Sequence, residues 1–166
     1  MIRIVLILIA VLSFNASAGS ATPPGNFAVG LTVGSMTAVT GKYWLDKRSA
    51  LDFGLTFDDL GLYGDYIFHV PNIFGQGSKF TRETAGYFGG GAGVVFWDDS
   101  YECGRWGCDR QRKKTDTGFF IRAFAGFEWF AAPTRFGVFA EVGPTILFTP
   151  ETDTDFDVQV GGRYYF

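Results

Sequence analysis

The stretch DFDVQVGGRYYF, residues 155–166, decides the fold, because apolar and polar side chains alternate along it. In a β-strand, successive side chains point to opposite faces. One face of this stretch is apolar and carries Phe156, Val158, Val160, Gly162, Tyr164 and Phe166. The other face is mainly polar and carries Asp155, Asp157, Gln159, Gly161, Arg163 and Tyr165. The alternation predicts a half-buried strand and leaves open whether its apolar face meets protein or lipid.

The start of the chain, MIRIVLILIAVLSFNASA, has the layout of a secretory signal peptide. Arg3 supplies the positive charge, residues 4–12 form an unbroken apolar run, and Ala16-Ser17-Ala18 is a small-x-small cleavage site. The apolar run is too short to cross a bilayer as a helix. We therefore predict that residues 1–18 are removed on export.

The remaining sequence, about 148 residues, is long enough for one domain with its own core. We predict a short leader at residues 19–25 and a single domain over residues 26–166. The chain carries 14 Lys and Arg against 17 Asp and Glu, a formal net charge of −3, so an overall attraction to nucleic acid is not expected.

Alternating segments separated by turn residues follow the leader, and we count eight of them. They cover approximately residues 26–34, 38–45, 50–57, 61–70, 84–97, 117–130, 135–148 and 155–166. An even number of antiparallel strands can close on itself and so removes both exposed edges. The pattern predicts an all-β fold, an eight-stranded antiparallel up-and-down transmembrane β-barrel. We expect the second to fourth segments to form strands nearer eight or nine residues than the roughly 9 to 11 typical of a spanning strand, which would suit a thin barrel.

The position of small residues indicates which face of the barrel is inside. Gly54, Gly126, Gly143 and Gly161 belong to the polar face or lie beside it, as expected for a cramped lumen that holds ionised groups. A water-soluble barrel would have the opposite polarity, with charges outside and apolar residues inside. A soluble periplasmic barrel that binds a hydrophobic ligand is therefore the alternative.

Several motifs carry a family resemblance. They are GKYWLDKRSALDFGLTF at 41–57, GDYIFH at 64–69, FAEVGP at 139–144, TPETDTDFD at 149–157 and GGRYYF at 161–166. With these motifs the sequence resembles the small OmpA-like and OmpX-like outer-membrane β-barrels, and within them a subgroup with no defined activity. The resemblance implies a bacterial outer-membrane location in a Gram-negative envelope, contact with outer-membrane lipid, and delivery by the barrel-assembly machinery, which would read the C-terminal strand.

Charged residues of both signs fall on the predicted inner face. An unpaired charge in a narrow dry interior is very costly, so we predict a network of ion pairs with the arginines as forked donors. Its members are Lys42, Asp52, Asp65, Arg122, Glu128, Glu141, Asp157 and Arg163. An eight-stranded barrel is only just wide enough for its own side chains. We therefore predict a plugged lumen and a non-enzymatic structural or surface-interaction role.

A lipid A-modifying enzyme is the second alternative. His69 is the only histidine, and Val70 and Pro71 follow it, so no H-x-S arrangement is present. The Asp99-Ser100 pair belongs to a loop that we expect at the opposite end of the barrel, about 25 Å away, whereas a base must lie within about 3 Å of its nucleophile. We predict no catalytic residue, no cofactor and no metal site, with the acidic turns solvated.

The loop containing YECGRWGCDR adds two further predictions. Cys103 and Cys108 belong to an exported chain and are flanked by flexible glycines, so a disulfide is expected rather than a zinc site. The same loop has a basic stretch, which consists of Arg105, Arg110, Arg112, Lys113 and Lys114. It is either a solvated cationic turn or a site for lipopolysaccharide phosphates or anionic glycans.

Overall fold

The computed structural model describes residues 25–71, 73–75, 77–97, 116–131, 134–148 and 152–166. The strands are β1 Phe27–Gly34, β2 Ala38–Trp44, β3 Ser49–Thr56, β4 Leu60–Pro71, β5 Thr84–Trp97, β6 Asp116–Ala131, β7 Phe136–Leu147 and β8 Asp153–Tyr165. Each strand pairs with its neighbours in sequence, and β1 pairs with β8 to close the barrel. All of these pairings are antiparallel, and the predicted eight-stranded up-and-down barrel is confirmed.

The C-terminal strand closes the barrel with the predicted alternation. In the β1–β8 pairing, Ala28 lies opposite Tyr165 and Gly34 lies opposite Gln159. Gln159, Arg163 and Tyr165 point inward and are fully buried, while Val160 and Tyr164 are exposed on the outside. A one-residue slip would exchange these two sets of side chains, so the register is strongly specified.

Strand lengths differ from the prediction on one side of the barrel. β4 is 12 residues long and extends to Pro71, so the expectation of a short fourth strand is wrong. β2 and β3 are short as predicted, with 7 and 8 residues. β5 to β8 have between 12 and 16 residues. The wall formed by β1, β2 and β3 is therefore lower than the rest.

A short helix, α1 (Lys79–Arg82), lies between β4 and β5 and was not predicted. Ser78 caps it, because its hydroxyl accepts a hydrogen bond from the Thr81 backbone N–H at 3.2 Å. The Thr81 hydroxyl in turn accepts one from the Ser78 backbone N–H at 3.0 Å, which completes a capping box. Four residues are too few to produce a helical period in the sequence.

The two ends of the barrel differ in their connections. The end that we call the terminus end holds Phe166, the start of β1, and the connections β2–β3, β4–β5 and β6–β7. The opposite end, which we call the loop end, holds the other four connections. Within the part of the chain that the structure describes, no helix is long and apolar enough to cross a bilayer.

Candidate functional site: the charged interior of the barrel

The first ion pair of the interior joins β3 and β8. The Arg163 guanidinium donates to the Asp52 carboxylate, and both side chains are about 1% exposed. The guanidinium also lies over the Phe139 ring, 3.9 Å from its centroid. Gly30 faces Arg163 on the neighbouring strand, and a Cβ there would lie only 2.6 Å from Arg163 Cγ. A glycine at position 30 therefore makes room for the arginine side chain.

The second ion-pair group joins β4, β6 and β7. Arg122 donates to the Asp65 carboxylate through Nη2 and through Nε, whose distance to each carboxylate oxygen is 3.1 Å. Its Nη1 lies 3.6 Å from Glu141 Oε1, and the Tyr87 hydroxyl donates to Glu141 at 3.1 Å. The forked guanidinium thus connects two carboxylates, as is typical of buried arginine.

The third ion pair lies nearer the terminus end and is the most enclosed. Lys42 donates to Glu128, and both side chains are completely buried. The Tyr165 hydroxyl donates to the other Glu128 oxygen. Lys42 Nζ also lies 2.9 Å from His69 Nε2. Because an ammonium group only donates, His69 Nε2 accepts this hydrogen bond.

The groups around His69 hold its ring in one orientation. With Nε2 accepting from Lys42, its Nδ1 carries the proton and donates to the Arg48 carbonyl at 3.2 Å. The imidazole ring lies 4.2 Å from the Trp44 ring, measured between centroids. Both ring nitrogens and one ring face are therefore occupied by these groups.

The structure brings together all but one of the predicted network residues. Asp157 is the exception, because it lies near the loop end and is only partly buried. It accepts a hydrogen bond from Thr145 and makes no ion pair within the described residues. We correct the prediction here: Asp157 points inward as expected and lines the same small pocket as Arg122, but its hydrogen-bond partner is Thr145 rather than an arginine.

Buried aromatic side chains pack against the ion pairs, and this role was not assigned to them from the sequence. Three clusters of buried apolar residues lie along the interior. Their aromatic members are Trp44, Phe130 and Tyr165 at the terminus end, Tyr87, Phe124 and Phe139 in the middle, and Tyr63 and Phe120 toward the loop end. The sequence could have indicated this role, since all of them except Tyr87 share the inward face with a charged residue of the same strand. Charged and aromatic side chains contact each other directly: the Arg122 guanidinium lies 4.3 Å from the Tyr63 ring centroid and 4.8 Å from the Phe124 ring centroid.

The loop end holds an open cavity of about 220 Å³. Its rim is acidic and includes Asp58, Asp59, Asp153 and Asp155, while Phe120 forms part of its apolar floor. Among the described residues, no group of three or more His, Cys, Asp or Glu side chains is arranged to hold a metal ion.

The turn between β2 and β3 is fixed by a carboxylate outside the barrel wall. Asp46 accepts hydrogen bonds from the backbone N–H groups of Arg48 and Ser49, at 2.7 and 2.8 Å. These two hydrogen bonds lower the pKa of Asp46 below its ordinary value. The turn is therefore best ordered when this carboxylate is ionised.

Several predicted features lie outside the described residues. They are the signal peptide at 1–18, the leader up to residue 24, the cysteines Cys103 and Cys108, the pair Asp99 and Ser100, and the basic stretch Arg105, Arg110, Arg112, Lys113 and Lys114. The disulfide and the anion-binding loop remain predictions.

A comparison with solved structures supports the barrel class that the fold and the interior define. The chain is similar to the N-terminal β-barrel domain of Pseudomonas aeruginosa OprF, with a TM-score of 0.55 over 86% of this chain and 98% of that chain. Sequence identity is 13%, so the likeness concerns the fold alone. No protein-family model and no curated protein sequence matches the chain.

Proposed function

We propose that this chain is a non-enzymatic integral protein of the bacterial outer membrane, with a structural or surface-interaction role and a plugged polar lumen. The observation that carries the proposal is the polarity of the barrel, which has buried ion pairs inside and large apolar side chains outside. In water this arrangement would expose apolar surface on every strand. In a bilayer the same surface is solvated by lipid, and closure leaves no strand edge without a partner.

The interior filled by ion pairs and aromatic side chains supports a structural role over conduction. The Arg163–Asp52, Arg122–Asp65 and Lys42–Glu128 pairs are all buried. Aromatic clusters lie beside them at three levels. Eight strands enclose a space that side chains nearly fill, so we expect no permanent water-filled path through the barrel.

The C-terminal strand supports export through the barrel-assembly machinery. Val158, Val160, Tyr164 and Phe166 form an exposed apolar row on the outside of β8 and just beyond it. This is the alternating terminal pattern that the family resemblance implies. The partners that we propose are outer-membrane lipid and this machinery.

The two alternatives have less support. A soluble barrel for a hydrophobic ligand needs an apolar interior, whereas this interior holds three ion-pair groups. A lipid A-modifying enzyme needs a free base, whereas the nitrogens of His69 are engaged with Lys42 and the Arg48 carbonyl.

Cell fractionation and gel mobility test the proposal. We expect the protein in the outer-membrane fraction, with an unheated band that migrates differently from the boiled band. Phe166→Asp should reduce the assembled form, because it places a charge in the exposed apolar row of the last strand. Phe57→Asp is the matched control, since Phe57 is similarly exposed at the margin of the apolar band but lies at the loop end and outside the C-terminal strand. A protein found only in the soluble periplasm, with no heat-modifiable band, would disprove the proposal.

A finer proposal is that the basic stretch binds lipopolysaccharide or an anionic glycan. The charge pattern supports it, because arginine forks match phosphate and sulfate groups. The purified barrel should bind lipopolysaccharide and heparin less well at high salt. The variant carrying Arg110→Ala, Arg112→Ala, Lys113→Ala and Lys114→Ala should bind both more weakly. Equal binding by the two proteins would leave the stretch as a solvated turn.

A further inference from the structure

The connection between β4 and β5 is unusually long for its end of the barrel. It spans residues 72–83, whereas the other two connections at the terminus end span only 45–48 and 132–135. Outer-membrane barrels usually have short turns at the periplasmic end. The extra length therefore needs an explanation. Its described part, residues 73–75 and 77–83, is called the anchor segment below.

The anchor segment folds back over the outside of the barrel. Phe80 lies 6.0 Å from Trp129, and Phe74 meets Phe127 edge to face at 6.2 Å, measured between ring centroids. Phe127 and Trp129 lie on the outer face of β6. Ile73 covers Gly86 on β5, where an added Cβ would lie 2.7 Å from Ile73 Cγ2. The segment thus extends the apolar belt of β5 and β6.

Hydrogen bonds hold the anchor segment in this position. The Thr84 hydroxyl donates to the Phe80 carbonyl at 2.8 Å, and the Phe130 backbone N–H donates to the Glu83 carbonyl at 2.9 Å. Trp129 Nε1 donates to the Glu83 carboxylate at 3.3 Å. An isolated four-residue helix is not stable in water, so these contacts and the Ser78 cap keep α1 formed. The segment is therefore organised before it meets a partner.

Large apolar side chains of the anchor segment nevertheless remain exposed. Ile73 is 58% exposed, Phe74 51% and Phe80 57%. Lys79 lies in the same turn of chain with its side chain 75% exposed, and Arg82 is exposed as well. Aromatic side chains beside lysine and arginine are typical of segments that lie in a membrane interface.

The charges at the terminus end indicate which lipid headgroups the anchor segment fits. Connections at the terminus end expose the cations Lys47, Arg48, Lys79, Arg82 and Arg135. Against these stand Asp46 and Glu83, and Glu83 is engaged with Trp129 and Lys79. At the loop end, the charged side chains among the described residues that line the cavity are all aspartates. The cationic end therefore fits anionic headgroups, which attract lysine and arginine near a membrane surface.

We propose that the anchor segment lies in the membrane interface at the terminus end and binds anionic phospholipid. Phe74, Phe80 and Ile73 would insert beside the acyl chains, while Lys79 and Arg82 contact phosphate groups. The proposal rests on the membrane-spanning role proposed above, and it adds a lipid preference confined to one leaflet.

Limited proteolysis in lipid nanodiscs tests this proposal. The full mature barrel is inserted into discs of phosphatidylcholine alone or of phosphatidylcholine mixed with phosphatidylglycerol. We expect trypsin to cleave after Lys79 and Arg82 about tenfold more slowly in the anionic discs, equivalent to about 1.4 kcal/mol of added protection. Phe80→Ser should abolish most of this protection. Phe57→Ser, at a phenylalanine that is 56% exposed at the other end, should leave it unchanged.

A second variant separates the charge contribution and does not depend on the fate of Phe80→Ser. Lys79→Gln with Arg82→Gln changes two exposed side chains, and chymotrypsin cleavage after Phe74 then replaces trypsin as the readout. We expect this variant to be cleaved at similar rates in both lipids. A native barrel that is heat-modifiable and inserted, but equally cleaved in both lipids, would overturn the lipid preference alone. Failure to insert into either disc would instead contradict the proposed function.

Discussion

Removing one partner of the buried Lys42–Glu128 pair should lower the free energy of unfolding of the barrel much more than removing the charge of an exposed lysine. Both side chains are completely buried, so Lys42→Met leaves the Glu128 carboxylate with Tyr165 as a donor but without its cation. Breaking a buried ion pair in this way costs about 3 to 5 kcal/mol. The pair Lys79–Glu83, in which the lysine is exposed, has an N–O distance of 3.8 Å and should contribute about 0.5 kcal/mol or less.

A double-mutant cycle with Glu128→Gln measures the interaction itself. In the double variant both charges are gone, so its loss of stability should be smaller than the sum of the two single losses. The assay is urea unfolding in detergent micelles, followed by the mobility of unheated protein on gels. Lys79→Met is the control for removal of a lysine charge. Lys42→Met within about 0.5 kcal/mol of the native protein, or additive single losses, would refute the reasoning.

Three further predictions concern the wall, a turn and the cysteine loop. Gly91→Ala should destabilise the barrel by about 1 to 3 kcal/mol, because the added Cβ would lie 2.1 Å from the Gly64 backbone oxygen. Gly64→Ala is the control in the same urea assay and should be neutral, because a Cβ there has no neighbour within 4 Å. Asp46→Ala should destabilise the protein at neutral pH, and this loss of stability should shrink as pH falls through the lowered pKa of the Asp46 carboxyl. A loss of stability that is the same at all pH values would contradict the role of the ionised carboxylate in the turn. Mass mapping of unreduced protein should find Cys103 and Cys108 joined, and free alkylation of both thiols would rule this out.

The strands and their inner faces could be predicted because both depend on local alternation. The predicted bounds of β5, residues 84–97, agree with the observed Thr84–Trp97. The inward direction of Arg122, Glu128 and Arg163 follows from the same period of two. Alternation also explains the error with Asp157, because period two gives the face of a residue and does not say which inward-facing side chains come within ion-pair distance.

The pairing of charges could not be predicted because it depends on the stagger of the closed sheet. Lys42 and Glu128 are 86 residues apart, and Arg163 and Asp52 are 111 apart. Which side chains reach the same level is set by strand tilt and shear, which the alternation does not encode. The helix α1 could not be predicted for a related reason. The hydrogen bonds that hold it in place come from Trp129 and Phe130 on β6, which is far from α1 along the sequence.

The wall formed by β1, β2 and β3 is shorter than the apolar thickness of the bilayer in which we propose that the barrel lies. Eight residues at about 3.4 Å each, tilted by about 40°, give a height of about 20 Å. A bilayer-facing band is usually about 25 Å tall, so this wall is about 5 Å too short. Leu45 and Phe57 carry apolar surface slightly beyond the strands and reduce the shortfall. In the membrane location proposed above, the remaining hydrophobic mismatch would make lipid thin beside this wall or the barrel lean toward it, at a cost of fractions of a kcal/mol per Å.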